Sequence, residues 1–346
     1  MGPELHGSGT WEISRGTDRI VLEGPFIAAP MAGVVDTPYR KVLHRHGCQL
    51  SFSEMTSARG LCEGSRRTGE IAGWVPSNGH GAAQLFGHDP RYLSSAAKLL
   101  SEMGHHMIDL NAGCPKRKVL SQGSGGALLN DPDHLVRCLG AIIGSVEVPV
   151  GLKMRSGYSD HDPVRFRKLL EDIQAAGASY VVVHPRTVSQ GFRGSVDLDV
   201  ISLSADVLDI PLIASGDVRC PSDVVDRLDR GAKGVMVGRA LMGDPSWMER
   251  CGLALHGGDW SPFPNDVPTL SRHFALLKEH LEESISFHGE SKGCTRFRTH
   301  LHWYLHGMRE RSFFRDRIFS ISDPAGTMSL VDEVFGRWSE DLLRDR

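Results

Sequence analysis

Cysteine is scarce and follows no paired pattern: there are seven, at positions 48, 62, 114, 138, 220, 251 and 294, odd in number, widely spaced and without a CxxC. This excludes a disulfide framework and a structural zinc site, and it fits a reducing, cytoplasmic compartment. No stretch approaches the roughly 18 uncharged apolar residues of a membrane span. Residues 1–16, MGPELHGSGTWEISRG, lack the apolar core of a signal peptide. A soluble protein with neither membrane nor metal partner is therefore expected. Charge of one sign is missing too. Lys and Arg total 39 against 42 Asp and Glu, net −3, so nucleic-acid binding would need a local basic patch. Low-complexity segments are absent, and at 40% hydrophobic and 23% charged residues the 346-residue chain is neither wholly disordered nor a fibre.

Glycine and proline are plentiful, at 39 and 18, which suits many short turns between strands and helices. Eight short apolar runs, each ending in polar or glycine residues, alternate with helical patterns: 24–33, 50–55, 82–87, 107–113, 149–157, 180–187, 211–217 and 234–241. Repeated βα units of this kind predict an α/β fold, a (β/α)8 TIM barrel with a parallel sheet. Helix starts are written at Asp89-Pro90, Asp162-Pro163 and Pro221, each with an N-cap or first-turn proline and a closing glycine. Upstream, TWEISRG and DRIVLEG read as a hairpin that plugs the N-terminal end of the barrel. After Gly258 the pattern changes to a proline-rich linker and then to helical periodicity without strands. The expected organisation is a barrel over 1–258 and a C-terminal all-helical domain over 259–346.

Reactive residues of a barrel stand at the C-terminal ends of its strands. There the chain offers Met31, Ala32 and Gly33, then Gln84, Asn111 with Cys114, Lys153 with Arg155, His184 with Arg186, Ser215-Gly216-Asp217 and Gly238-Arg239. The last two loops supply glycine and backbone amides for a phosphate. Lys153 and His184 suit an electron-rich ring such as a reduced isoalloxazine, and the Gln84 and Asn111 amides suit ring edges. Together these point to a flavin mononucleotide (FMN) across the barrel mouth. Singly, a buried His or Lys also reads as a structural residue with a partner, and the glycine loops as ordinary turns.

The stretches APMAGVVDTPYR (29–40), AAQLFGHDP (82–90), IDLNAGCPKRKVLSQGSGGALLNDP (108–132), PVGLKMRSGY (149–158), VVVHPRTVSQGFRG (182–194) and GVMVGRALMGDP (234–245) resemble the tRNA-dihydrouridine synthase family across essentially the whole barrel. The resemblance implies FMN held by Pro30, Met31, Ala32, Gln84, Lys153, His184, Ser215, Gly216, Asp217, Gly238 and Arg239, and Cys114 as catalytic acid. The family commonly has Asn-Gly where this chain has Ser215-Gly216. Reducing the C5=C6 bond of uracil takes a hydride at C6 and a proton at C5 from the opposite face, and a thiol is mostly protonated at neutral pH. Other readings of Cys114 are a nucleophile or an inert buried thiol. Asn111, Lys118, Arg155 and Arg186 are candidates for holding a uridine flipped out of its stack. For Lys118 and Arg186 simple solvated charge is the bland alternative.

Residues 292–317 form a basic stretch, with Lys292, Arg296, Arg298, Arg309, Arg311, Arg315 and Arg317 interleaved by Phe297, Trp303, Tyr304, Phe313 and Phe314. It reads as an RNA-binding face, as an amphipathic helical pair, or as both. The implied activity is reduction of uridines in tRNA by a monomeric flavoenzyme, with NADPH or NADH as reductant. The alternatives are an FMN-dependent reductase of a free pyrimidine or other small molecule, and an RNA-binding module without catalysis.

Overall fold

The computed structural model describes residues 9–73, 79–309 and 311–344. An antiparallel hairpin comes first, β1 (Thr10–Arg15) paired with β2 (Asp18–Glu23). The parallel strands follow: β3 (Phe26–Ala28), β4 (Leu50–Phe52), the two-residue β5 (Thr56–Ser57), β6 (His80–Phe86), β7 (Met107–Ala112), β8 (Val150–Arg155), β9 (Tyr180–His184), β10 (Leu212–Ser215) and β11 (Gly234–Val237). Their order is β4-β3-β11-β10-β9-β8-β7-β6, and the pairing of β4 with β6 closes the circle into an eight-stranded barrel, while β5 only lengthens the far side of β6. The barrel expected from the eight apolar runs is present, each run overlapping one barrel strand.

Two of the predicted helix starts hold because aspartate accepts the orphan amides of the first turn while proline occupies N1, and at the third, Pro221, Asp223 reaches back to accept from Cys220 N at 3.1 Å. Asp89 Oδ1 accepts from Arg91 N at 2.9 Å, and Asp162 Oδ1 accepts from Val164 N and Arg165 N at 3.0 and 3.1 Å. The helices run Pro90–Glu102, Pro163–Ala175 and Pro221–Asp229.

Packing gathers the chain into two compact units: residues up to Thr37 with Cys48–Gly238, and Pro38–Gly47 with the chain from Arg239 onward. The first unit is the barrel. Ile13, Ile20 and Leu22 of the hairpin are buried in one cluster with the barrel-interior residues Ile27, Phe52 and Ile213. Arg15 reaches from the hairpin to the turn before β8, donating to Val146 O at 2.6 Å and Ile143 O at 2.7 Å. The Trp11 ring passes where a Cβ on Gly234, the first residue of β11, would stand, 2.6 Å from Cζ2. The hairpin thus covers the N-terminal end of the barrel, opposite the C-terminal strand ends.

The second unit is helical: Trp247–Leu255, Val267–His288, Glu290–Tyr304, Arg311–Ser320 and Pro324–Arg344. Its core joins Leu277, Leu281, Phe297, Phe314, Val331 and Trp338. The segment Pro38–Gly47 belongs here through ion pairs with one helix: Lys41 to Glu283 at 3.2 Å, Arg45 to Glu279 at 2.9 Å and also to Glu283, and His46 to Glu279 at 2.9 Å. In the basic stretch, Phe297, Tyr304 and Phe314 are core residues, while Lys292, Arg296, Arg309, Arg311 and Arg315 are exposed. Arg317 pairs with both carboxylate oxygens of Glu333 at 2.8 and 2.6 Å, and the Arg337 guanidinium lies 4.6 Å from the ring centre of exposed Phe313. All seven cysteines are free. No described helix is long and apolar enough to cross a membrane.

Candidate active site

Side chains alternate along a strand, so the register that points Ala82, Met107, Tyr180, Val182 and Ile213 into the barrel also points Gln84, Asp109, Asn111, His184 and Ser215 inward, nearer the mouth. Strand pairing sets these residues side by side: Gln84 opposite Asp109, Asn111 opposite Lys153, and Arg155 opposite His184.

A continuous chain of hydrogen bonds crosses the interior. Tyr180 Oη donates to Asp109 Oδ1 at 3.1 Å, and Gln84 Nε2 donates to Asp109 Oδ2 at 2.7 Å. Asn111 Nδ2 donates to Gln84 Oε1 at 2.8 Å, and Asn111 Oδ1 accepts from Gly113 N at 3.2 Å and from Cys114 N at 2.9 Å. The turn carrying Cys114 is therefore tied to the barrel floor through side-chain amides. Behind it, Gly125 leaves room for the cysteine, since a Cβ there would stand 3.1 Å from Cys114 Cβ and 2.7 Å from Val119 Cγ1.

Electrostatics follow from this packing. Burial raises the Asp109 pKa to about 7 although Gln84 and Tyr180 donate to it and Lys153 lies near. Burial, reinforced by Arg155, lowers the Lys153 pKa to about 8 against the pull of Asp109 and Cys114. Burial also raises the Cys114 thiol, and the Lys116 amide and the charges of Lys116, Arg155 and Lys153 offset this only in part. At neutral pH the thiol keeps its proton and the ammonium keeps its charge.

The two inner arginines hold loops. Arg155, buried, donates from Nε to Gly113 O at 2.9 Å and from Nη1 to Thr187 O at 2.9 Å and Gly191 O at 2.7 Å. Burial beside Arg186 lowers its pKa to about 10. Arg186, at 2% exposure, donates from Nη2 to Gly194 O at 2.6 Å and Asp217 Oδ2 at 2.5 Å, so it is not a solvated charge. Asp217 is the one non-glycine with positive φ among the described residues, at +49°, and the loop below it is gripped by Arg227 Nη2, which donates to Gly216 O at 3.0 Å. A Cβ on Gly216, whose φ is +96°, would stand 2.8 Å from the His184 ring, so only glycine lets the loop pass this close.

The remaining candidates lie outside the barrel strands. Pro30 and Met31 are half-buried and Ala32 exposed in a turn where Met31 O accepts from Val34 N and Val35 N, both at 3.1 Å. Gly238 sits so that a Cβ would be 3.5 Å from Met31 Sδ. Lys118 is exposed on a short helix after the cysteine turn, and Arg239, also exposed, is the first residue of the helical unit's second segment.

Sequence reasoning missed Asp109, Tyr180 and Gly151. Asp109 had a signal, a carboxylate two residues before Asn111 and hence on its face of an otherwise apolar strand. Gly151 and Tyr180 had none, because their role depends on register across three strands. Asp109 pairs with Gly151, Gly151 pairs with Tyr180, and the Tyr180 ring lies across β8 where a Gly151 Cβ would be 2.6 Å from Cε1 and 2.5 Å from the Tyr180 carbonyl oxygen. Gly151→Ala is accordingly expected to destabilise the barrel by ~1–3 kcal/mol, the typical cost of overpacking. Urea unfolding checks this, and a change below ~0.5 kcal/mol would show that the two strands yield without strain.

Comparison with known proteins follows the same lines. The sequence profile of the Dihydrouridine synthase (Dus) family matches residues 27–338. The "Probable tRNA-dihydrouridine synthase" of Rhodobacter capsulatus is 33% identical over 324 residues, covering 92% of this chain and 97% of that protein. The "tRNA-dihydrouridine synthase B" of Proteus vulgaris is 32% identical, with 93% and 98% covered. Among solved structures, a variant of NCR from Zymomonas mobilis superposes with a TM-score of 0.52 at 18% identity, covering 73% of this chain and 92% of that one. Morphinone reductase superposes with 0.52 at 14% identity, covering 73% and 91%. At such identities the two structures speak for the barrel fold alone.

Proposed function

Because the chain belongs to the dihydrouridine synthase family, we propose that it reduces the C5=C6 bond of uridines in tRNA to 5,6-dihydrouridine, using FMN that NADPH or NADH reduces, with Cys114 as the acid. The observation that carries the reading is the cysteine turn: a protonated thiol at the end of β7, fastened through Asn111 and Gln84 to the barrel floor, with the Lys153 ammonium on the neighbouring strand.

The residues present fit the cofactor. A flavin needs hydrogen-bonding groups at its ring edge, a positive charge near the electron-rich end of the reduced ring, and amides free of side chains around its phosphate. Gln84 and Lys153 face the barrel interior for the first two. Ser215, Gly216, Asp217 and Gly238 supply the third, and the space beside Gly238 is one that a Cβ would narrow against Met31. Pro30, Ala32 and His184 complete the set at the mouth. When bound there, FMN supplies hydride transfer from the nicotinamide to C6 of uracil.

The chain's own residues do the rest. Cys114 holds the proton for C5, kept on the thiol at neutral pH by burial. Asn111 fixes the backbone that carries it. Lys153, protonated below about pH 8, holds positive charge where negative charge gathers. Arg155 and Arg186 keep the loops after β7, β9 and β10 in place around the site, and with Asn111 and exposed Lys118 they are the residues to meet the uridine and its backbone. In the helical unit, the exposed Lys292, Arg296, Arg309, Arg311 and Arg315 supply the local positive charge that RNA binding needs, which the whole-chain charge does not.

The test is anaerobic. The purified protein is expected to carry flavin absorbance, to bleach with NADPH, and to regain its colour rapidly when tRNA lacking dihydrouridine is added but not with free uracil. Reoxidation by uracil and not by tRNA would overturn the choice of substrate, and a flavin-free protein that binds no FMN would overturn the reading altogether.

A further inference from the structure

Asp109 is a buried carboxyl that the chemistry above leaves unused. It lies at the centre of three adjacent strands, with Gln84 facing it from β6, Lys153 from β8 and Tyr180 from β9. Holding a carboxylate out of water is unfavourable unless its hydrogen bonds do something an apolar side chain could not. What they do here follows from donor and acceptor polarity. At one end of the chain of hydrogen bonds, Gly113 N and Cys114 N can only donate, so Asn111 must turn Oδ1 toward them and Nδ2 toward Gln84. At the other end an ionised Asp109 can only accept, so Gln84 must turn Nε2 toward it and Oε1 toward Asn111. The two demands agree, and every link is made. With Asp109 protonated, its hydroxyl can donate to Gln84 Oε1. Gln84 then turns its NH2 toward the NH2 of Asn111, and two donors meet.

We propose that Asp109, steadied by Tyr180, is a positioning residue: its acceptor-only carboxylate sets the direction of the Gln84 and Asn111 amides and thereby holds the turn that presents the Cys114 thiol. This rests on the reading of Cys114 as the acid. Gly151 is part of the device, because its missing side chain lets the Tyr180 ring cross β8 to reach the carboxylate.

Three variants of the FMN-loaded protein separate this from a packing role. Asp109→Leu removes the acceptor. Asp109→Asn can keep the polarity, with Oδ1 toward Gln84 and Nδ2 toward the Tyr180 oxygen. Tyr180→Phe keeps the shape of the core and removes one donor. The readouts are kcat and KM for tRNA against pH, the rate of flavin reduction by NADPH, and the pH profile of Cys114 alkylation by iodoacetamide, followed on its peptide by mass spectrometry.

Side chains that orient a reacting group from one layer back are worth about 10- to 100-fold where this has been measured at metal sites. Asp109→Leu is expected to lower kcat by about that factor with KM for tRNA unchanged, and to displace the alkylation profile. Asp109→Asn is expected to restore most of both. The carboxylate is needed ionised and has a pKa of about 7, which the Tyr180 hydrogen bond helps to lower. Tyr180→Phe therefore raises that pKa, moves the acid limb of kcat upward and loses activity at neutral pH that returns as pH rises. Wild-type kcat and alkylation in Asp109→Leu would overturn the proposal. So would an Asp109→Asn variant as poor as Asp109→Leu, or, if Asp109→Leu does not fold, a Tyr180→Phe loss that no alkaline shift recovers. If Cys114→Ala still reduces tRNA while Asp109→Leu displaces the alkylation profile, the assignment of the acid fails and the positioning chain stands.

Discussion

Replacing Cys114 by alanine is expected to slow reoxidation of the reduced flavin by tRNA about 10²- to 10⁴-fold, the usual worth of a positioned general acid, while reduction of the flavin by NADPH keeps its wild-type rate. The factor corresponds to ~3–5.5 kcal/mol of barrier. The structural consequence is much smaller. Only Sγ is removed, and the Asn111 bond to the residue-114 amide does not depend on the side chain. Selective loss of one half-reaction is therefore the signature. Anaerobic rapid mixing measures both halves on one preparation, and equal loss in both would show that Cys114 supports the flavin site rather than delivering the proton. The wild-type pH profile carries the same assignment. If Cys114 is the acid, as proposed, its protonated form is the active one; burial raises its pKa, so the tRNA half-reaction is expected to persist through neutral pH and to decline as the medium becomes alkaline enough to ionise the thiol.

Asp217→Ala is expected to destabilise the barrel by ~3–5 kcal/mol, the cost of leaving one member of a buried ion pair without the other. The survivor is Arg186, whose side chain is 2% exposed against 16% for Asp217, so water cannot replace the lost carboxylate on the arginine side. Its remaining acceptor is the carbonyl of Gly194. Arg219 lies 3.5 Å from the other carboxylate oxygen but is largely exposed, and its loss as a partner adds little. The backbone makes a second contribution: φ at residue 217 is +49°, where alanine is less at ease than aspartate or asparagine. Asp217→Asn separates the two, since it keeps the backbone preference and removes the charge. Urea denaturation of the three proteins is the measurement. If Asp217→Ala lies within ~1 kcal/mol of wild type, the pair is not what holds the 215–217 loop beside His184. If it is as unstable as expected, FMN affinity should fall with it, because the same loop is proposed to offer its amides to the phosphate.

Much of the candidate site could be read along the chain because a barrel presents its strand-end residues at one repeated position. Gln84, Asn111, Lys153, His184 and Ser215 each stand out as polar residues closing an apolar run, and alternation then decides that they face inward. Arg155 and Arg186 show the limit of that reasoning. Their place at the mouth was legible, but their partners, the carbonyls of Gly113, Thr187, Gly191 and Gly194 and the carboxylate of Asp217, lie in other loops, and nothing local distinguishes an arginine meeting substrate from one tying a loop. The segment 38–47 is similar. Its Lys41, Arg45 and His46 look like an ordinary basic helix face until Glu279 and Glu283, more than 230 residues later, are found against them.

Taken by itself, the order of residues determined the parallel barrel, the aspartate-proline helix starts, the helical C-terminal region and the family, because each depends on periodicity, on capping within one turn or on a contiguous motif. Only the tertiary structure decided that Asp109 sits between Gln84 and Tyr180, that Gly151 is bare so that a tyrosine can cross it, and that Arg186 belongs to Asp217. These are contacts between strands or loops distant in the chain. Register and burial create them, and the same burial moves Asp109, Lys153 and Cys114 away from their ordinary pKa values.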